Sequence, residues 1–287
     1  MTGPVVTVAS GSGDATGSDD SGDSSDAGDA WIDFARALLT EAVANRRAAM
    51  AESDDRADGA TLDMAGAIGA ADAARARLHD SLAEPSPFAV VCANARLAPD
   101  EAEVLALALG CEADADLHRL LGYLHGDATR DRLTLGTVIT VFGDDGRGVL
   151  ALAPGARLRR AALLDVLADG PWADHAVTVH PQVVWALLGD ESADPELSLD
   201  LTEVASDDAG GHPLLTVSGR DRMRNRREAA NNCAGTRFLA SPAPDTEAGW
   251  MALVREATIT GRGVIVEVDD SLSPVGRRWI ERADHLP

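Results

Sequence analysis

The hydrophobic period of the chain changes near residue 214, and this change constrains the fold more than any other feature. Beyond it, short apolar runs alternate with segments of helical spacing. The runs are LLTVSG (214–219), TRFLAS (236–241) and VIVEV (264–268), and the helical segments are 225–234, 247–260 and a last one from Pro274. Strands that alternate with helices are typical of a parallel sheet covered by helices. We therefore predict an α/β chain in which residues 214–287 form a partial parallel sheet with flanking helices.

Before this point the spacing of apolar residues is mostly helical. Residues 31–84 predict N-terminal helices, and residues 85–200 predict a compact helical unit with a strand at VTV (177–179). Within that unit we expect a helix over 156–167. Several helices followed by a short strand pair suit a winged-helix-like domain.

Two segments have too few large apolar side chains to predict packed structure. Residues 9–30 consist almost entirely of Ser, Gly, Asp and Ala. Burial of such side chains cannot offset the entropy of ordering the backbone, so we predict a disordered acidic tail over residues 1–30. Residues 201–213, which are acidic and contain Gly and Pro, are expected to form a linker.

The charge balance limits the classes of partner. All 25 basic residues are arginine, against 47 acidic residues, which gives a net charge of −22. A field of this sign disfavours binding to nucleic acid and to anionic membranes. The absence of lysine fits a halophilic host, and high-GC coding gives the same bias. No apolar run approaches the roughly 18 residues of a membrane span, and the N-terminus lacks a secretion signal, so we predict a cytoplasmic protein.

The loop after the first of these runs has unusual chemistry. A loop that binds phosphate between a strand and a helix needs small residues, so that backbone N–H groups reach the anion, and then a lysine and a hydroxyl. Here Gly219 is followed by RDRMRNRRE (220–228). Two interpretations are open: the arginines capture an external anion such as phosphate, nucleic acid or an acidic protein face, or they pair with the chain's own carboxylates.

The remaining candidate ligands are few. Asp269 and Asp270 end an apolar run, where sheets gather ligands, and they predict either Mg²⁺ coordination or a cap for the final helix. Cys92, Cys111 and Cys233 lack the spacing of a disulfide framework or a zinc site and are interpreted as buried side chains. The seven histidines show no metal-ligand spacing. We therefore predict no metal site and no catalytic residue.

Residues 88–142 carry the motifs of a known family region. The matching elements are Leu97-Ala98-Pro99-Asp100-Glu101, Gly122-Tyr123-Leu124, Asp127-Ala128-Thr129-Arg130, and Thr134 with the helix after it. This region resembles the N-terminal variant winged-helix domain of large bacterial and archaeal AAA+ ATPases, some of which are encoded beside contractile injection systems. GARLRRAALLDVL (155–167) and VHPQVVWALLGD (179–190) resemble later parts of that domain. The similarity extends over residues 31–287.

In that family a nucleotide-binding core follows the winged helix. The resemblance implies that residues 214–287 are a partial or degenerate P-loop-type AAA+ core. It implies that Gly219 begins the phosphate loop. In this loop Arg224 stands at the position of the second glycine, Asn225 at that of the lysine and Arg226 at that of the Ser or Thr. At the end of the last strand, the resemblance places Asp269 at the position of the Walker B aspartate and Asp270 at that of the catalytic glutamate. ATP and Mg²⁺ are the cofactors of the family, but we expect none for this chain because the lysine and the hydroxyl are replaced.

These features predict a non-catalytic adaptor or regulatory region that binds proteins, such as other subunits of an ATPase or of an injection-system assembly. One alternative is part of an active ATPase whose catalytic core lies beyond residue 287, since the sequence given stops before any sensor strand or arginine finger. A second alternative is a DNA-binding winged helix, for which the candidate basic residues are Arg130, Arg132, Arg157, Arg159 and Arg160.

Overall fold

The structure is a computed structural model that describes residues 4–8, 30–52, 57–143, 146–197, 201–206, 214–233, 237–269 and 271–281. Most of the predicted acidic tail (residues 9–29) and Asp270 lie outside the described residues.

Twelve helices are found in the described part of the chain. They are α1 (Ala30–Glu52), α2 (Ala57–Ser81), α3 (Pro87–Asn94), α4 (Pro99–Ala113), α5 (Ala115–His125), α6 (Leu135–Phe142), α7 (Arg147–Leu150), α8 (Arg157–Arg160), α9 (Pro181–Leu187), α10 (Arg222–Asn232), α11 (Glu247–Thr260) and α12 (Pro274–Glu281). Local sequence signals start several of them. The Ser86 hydroxyl accepts from the Ala89 N–H at the start of α3, Thr134 accepts from Thr137 N–H at the start of α6, and Pro181 occupies the first turn of α9.

The first nine helices share one aliphatic core. The long helix α1 packs against α2, α4 and α5, and α4 is buried over most of its length. Phe34, Leu38, Leu105 and Leu121 are among its fully buried side chains. Aromatic residues are scarce, so Ala and Leu fill this core.

A short hairpin completes the winged-helix part. Strands β2 (Leu164–Leu167) and β3 (Ala176–Val179) pair antiparallel, and Thr134 bridges to Ala176 on the other side of β3. The expected helix over 156–167 is wrong beyond Arg160. Ala162 has a φ of 54°, which ends the helix, and the following residues form β2 instead.

The C-terminal sheet has five strands in the order β4-β6-β7-β1-β5. These are β1 (Pro4–Val8), β4 (Thr202–Ala205), β5 (Leu214–Ser218), β6 (Arg237–Pro242) and β7 (Gly263–Glu267). The apolar runs predicted as strands are therefore confirmed. The predicted parallel sheet is wrong, because only β6 and β7 pair parallel, and the other three neighbouring pairs are antiparallel. A P-loop-type sheet is not seen.

Two of these strands lie where none was predicted. Residues 4–8, placed in the acidic tail, form β1, which inserts between β5 and β7 and pairs with both. Its PVVTV sequence is rich in β-branched residues, which favour extended backbone. Residues 202–205, placed in the linker, form the edge strand β4 through pairing with β6.

Helices cover both faces of this sheet. On one face, α10 packs over a small cluster that includes Val217, Ala229 and Phe238. On the other face, α11 and α12 pack over a second cluster, in which Trp250 and Trp279 stack with ring centroids 6.1 Å apart. In the described part of the chain, the sheet and its helices thus form three layers, with α10 on one side and α11 and α12 on the other.

The helix α11 joins the sheet to the winged-helix part. Arg255 donates through Nε and Nη2 to Asp194 Oδ2, at 2.8 and 2.6 Å, and both side chains are buried. Glu256 accepts from the Asp194 N–H, and Asn94 donates to the Thr258 carbonyl at 2.9 Å. These bonds fix one end of the sheet unit against α3 and the segment after α9.

Among the described residues, no helix is both long enough and apolar enough to cross a membrane.

Candidate functional site

The arginine-rich segment places its residues at one corner of the sheet, between the end of β5 and the start of α10. Asp221 begins this helix by accepting a hydrogen bond from the Arg224 N–H at 3.1 Å. A free N–H group in the first turn of a helix is the usual partner of a bound anion. At this corner the chain's own carboxylate already occupies that place.

Asn225 fills the space beside the loop glycine. Its side chain is buried, and its Nδ2 donates to the Gly219 carbonyl at 3.1 Å. A Cβ atom at Gly219 would lie 2.5 Å from Asn225 Oδ1, so any larger residue here would require the Asn225 side chain to move. The glycine thus allows a side chain, rather than a phosphate, to approach the loop.

Arg226 forms a bidentate salt bridge with Glu267 at the end of β7. Its Nε donates to Oε1 and its Nη2 to Oε2, the second bond at 2.9 Å. The Glu267 side chain is only 2% exposed. The hydrogen bond to Glu267 raises the pKa of the Arg226 guanidinium above its usual value. This geometry is that of the strongest arginine–carboxylate pairs.

Arg222 links the same carboxylate to the predicted metal position. Its Nε lies 3.2 Å from Glu267 Oε2, and its Nη2 lies 3.3 Å from Asp269 Oδ1. The arginine–carboxylate network, defined as Arg222, Arg226, Glu267 and Asp269, therefore contains two positive and two negative charges. Its charges balance without a phosphate or a divalent cation.

The candidate residues of the loop are thus brought together, but in roles other than those implied by the resemblance. Arg226 and Asn225 bind the chain itself, and Arg224 is exposed. The interpretation that the arginines pair with the chain's own carboxylates is confirmed for Arg222 and Arg226. The cap of the final helix is supplied by Ser273, whose hydroxyl accepts from the Gly276 N–H, rather than by Asp269.

Glu267 is the residue that sequence reasoning missed. It stands inside VIVEV, where every residue of the strand is buried. A single glutamate in an otherwise apolar strand is costly to bury unless it is paired, and that isolated charge was the available signal. The same signal marks Arg255, which interrupts the apolar pattern of α11 and pairs with Asp194.

Three of the five candidate basic residues of the winged-helix part are also paired. Arg130 lies 2.6 Å from Asp174, Arg157 lies 3.0 Å from Glu101, and Arg159 lies 2.6 Å from Asp165. The other two, Arg132 and Arg160, have no ion-pair partner among the described residues, and Arg132 is exposed. All five are arginines on which a DNA-binding surface would depend. The charges of the three paired ones face the chain's own carboxylates instead.

The same part of the molecule exposes large apolar side chains. Trp172, in the connection between β2 and β3, is 54% exposed, and Leu167 at the end of β2 is also exposed. On α9 and its end, Trp185 is 57% exposed and Leu188 is exposed three residues later. Exposed aromatic residues are enriched at surfaces that bind proteins.

A cavity of about 630 Å³ lies between the hairpin and α11. Its lining includes His118, Arg132, Asp165, His180 and Arg255. Arg255 already donates to Asp194. The pKa of His180 is lowered, mainly because its side chain is partly buried. Among the described residues no group of three or more His, Cys, Asp or Glu side chains could hold a metal ion.

The three cysteines are buried, as predicted. Burial raises the pKa of the Cys92 thiol to about 12 and raises that of Cys111 further. A thiol of this kind stays protonated and is a poor nucleophile. The cysteines therefore act as small apolar core residues.

The helices, the bridge at Thr134 and the β2–β3 hairpin define a winged-helix domain. Comparison with protein families agrees with this architecture: the model described as "Winged helix domain, variant" matches residues 16–198. The chain belongs to this family of variant winged-helix domains. Membership indicates a regulatory role, or a role in binding DNA or protein.

No curated protein and no solved structure matches the chain. The family match ends before the five-stranded sheet, so it gives no support to an AAA+ core or to a link with injection systems.

Proposed function

We propose that this chain is a non-catalytic regulatory protein that works through contacts with other proteins. The observation that carries the proposal is the contrast within the winged-helix domain. Three of the five arginines that a DNA-binding surface would use, Arg130, Arg157 and Arg159, are paired with carboxylates of the domain, while Trp172 and Trp185 face solvent. A DNA-binding surface needs unpaired positive charge, whereas a protein-binding surface needs exposed apolar anchors.

The net charge of −22 supports the same choice. Such a field slows the approach of any polyanion and leaves contacts with proteins unhindered. At Arg130, Arg157 and Arg159, the phosphates of DNA would have to compete with Asp174, Glu101 and Asp165 for arginines that are already bonded.

ATP hydrolysis is disfavoured by the arginine–carboxylate network. Asn225 occupies the loop beside Gly219, and the two arginines bind Glu267 and Asp269. A triphosphate would have to displace these bonds and leave the buried Glu267 without a partner. The resemblance to AAA+ ATPases that work beside contractile injection systems makes a subunit of such an assembly the partner class that we propose.

Ligand binding tests the proposal in two arms. In the first arm, duplex DNA and MgATP are titrated separately into the protein at low ionic strength, with binding followed by calorimetry. We expect no saturable heat from either ligand. Magnesium-dependent ATP binding that disappears in Asp269→Ala, or saturable binding of DNA, would contradict the proposal.

The second arm asks for the protein partner. Wild-type protein and a Trp172→Ser/Trp185→Ser variant are immobilised and incubated with an extract of the source organism. Leu150→Ser, which removes another exposed apolar side chain, is the matched control. We expect a protein that the wild type and the control retain and the double tryptophan variant loses. Equal retention by all three would count against the tryptophans as the contact surface.

A further inference from the structure

The helix α10 has two faces with different charge chemistry. Its inner face carries Arg222 and Arg226, which bind the carboxylates at the end of β7. Its outer face carries Met223, Arg224 and Arg227. Arg227 lies four residues after Met223 and three after Arg224, so it is a neighbour of both on the helix surface. Arg220 lies directly before the Asp221 cap.

The outer arginines differ from most arginines of the molecule. Arg220, Arg224 and Arg227 are exposed, and no ion-pair partner is found for any of them among the described residues. In a chain with 47 acidic residues, three neighbouring arginines without a carboxylate partner are unexpected.

The arrangement is also locally unfavourable. Positive charges near the start of a helix oppose its dipole by about 0.3–1 kcal/mol each. Arg224 and Arg227 additionally repel each other across one turn. The inner arginines are compensated by Glu267 and Asp269, but the outer ones have no such compensation within the described residues. A bound negative partner would provide it.

We propose that the outer face of α10, formed by Arg220, Met223, Arg224 and Arg227, docks an acidic segment of a partner protein. Charge complementarity selects an acidic partner. Met223 favours a protein partner over nucleic acid. Its side chain is 68% exposed between the arginines and offers a flexible apolar contact.

The position of the face suits docking. Among the described residues, α10 is the only helix on its side of the sheet, while α11 and α12 cover the opposite side, where α11 contacts the winged-helix part. The outer face therefore points away from the rest of the described molecule. With 11 residues, α10 offers a strip about 16 Å long, enough for three turns of an acidic helix or a short extended segment.

Fluorescence anisotropy tests the proposal with the full chain. The probe is a labelled peptide of Glu, Asp and Leu, about as long as α10, at low ionic strength. The test variant is Arg220→Gln/Arg224→Gln/Arg227→Gln. The matched control is Arg77→Gln/Arg96→Gln/Arg277→Gln, which removes the same charge from exposed arginines elsewhere. None of the six belongs to the arginine–carboxylate network, and circular dichroism checks that both variants fold.

We expect the wild type and the control to bind the peptide with the same affinity. The test variant should bind it at least about tenfold more weakly, because it loses three charge pairs that each contribute modestly. Failure of the wild type to bind the peptide would overturn the proposal, as would equal weakening in the control. A short single-stranded DNA that displaces the peptide at equal concentration would assign the face to nucleic acid and would also overturn it.

The inference rests on the proposed protein-binding role, but the experiment that would overturn it differs from the experiment that would overturn the proposed function. Binding of MgATP would contradict the proposed function without changing the peptide result. Loss of peptide binding in the control would overturn the docking face without making the chain an ATPase.

Discussion

The winged-helix domain and the C-terminal sheet unit place their charged side chains differently. In the winged-helix domain, ion pairs such as Arg157–Glu101 lie at the surface around a large aliphatic core. In the sheet unit the apolar clusters are small, and the pairs centred on Glu267 and Asp194 are buried. The first region is held by packing, whereas the second depends on compensated charges.

This difference is visible at the corner of the sheet between the end of β5 and the start of α10. A carboxylate that binds a metal must be free to accept one, and a loop that binds phosphate must leave its N–H groups open. At this corner Arg222 and Arg226 pair with Glu267, and the Arg224 N–H donates to Asp221.

The largest effect is expected at the joint between the two regions. Arg255→Met leaves Asp194 buried without its guanidinium, and breaking a buried pair in this way costs about 3–5 kcal/mol. We expect the free energy of unfolding in urea to fall by that amount. Arg278→Gln, which removes the exposed pair with Glu247, is the control and should cost under about 1 kcal/mol. Equal effects would show that the burial of an ion pair does not set the cost of breaking it.

A smaller loss is expected from the aliphatic core. Leu105 is fully buried in α4, and Leu105→Ala should lower the free energy of unfolding by about 2–5 kcal/mol through lost burial and the cavity left behind. If the two regions unfold separately, the tryptophan fluorescence of the sheet unit should depend on urea in the same way in Leu105→Ala and in the wild type. If the two regions unfold together, both signals will shift by the same amount.

The smallest effect depends on pH. His180 Nδ1 accepts from the Gln182 N–H at the start of α9, and the pKa of His180 is lowered by burial and then by Arg255. The unfolded chain therefore binds a proton more readily than the folded one. Stability should fall as the pH drops below the ordinary histidine value of 6.5, by up to the roughly 1 kcal/mol of a helix cap.

The control for this pH effect is His180→Asn, which keeps a capping oxygen but does not titrate. Below the ordinary value it should retain more of its stability than the wild type, as followed by thermal unfolding at several pH values. An identical pH dependence in the two proteins would exclude His180 as the cause.

Local structure was largely predictable from the sequence. The three- and four-residue spacing of Trp31, Phe34 and Leu38 predicts α1, and the run VIVEV predicts β7. Both signals arise within a few residues. The proline at the start of α9 acts at the same short range.

Long-range pairing could not be predicted in this way. Strand β1 joins β5 across about two hundred residues, and its five residues show only β-propensity, not a partner. The arginine–carboxylate network has the same origin. Arg226 and Glu267 lie 41 positions apart, so the sequence reveals two isolated charges but not their contact.

A double-mutant cycle on Arg226 and Glu267 tests most directly whether the inner arginines of α10 are bonded to the chain's own carboxylates and so are not available to a ligand. The single variants are Arg226→Met and Glu267→Leu, and the double variant combines them. We expect each single variant to lower the free energy of unfolding by about 2–4 kcal/mol, since Arg226→Met leaves the buried Glu267 with Arg222 alone and Glu267→Leu leaves Arg226 without a carboxylate, and the double variant to recover much of that loss. Single variants that unfold like the wild type, with no coupling between them, would show that both side chains are free for a ligand and would contradict this account.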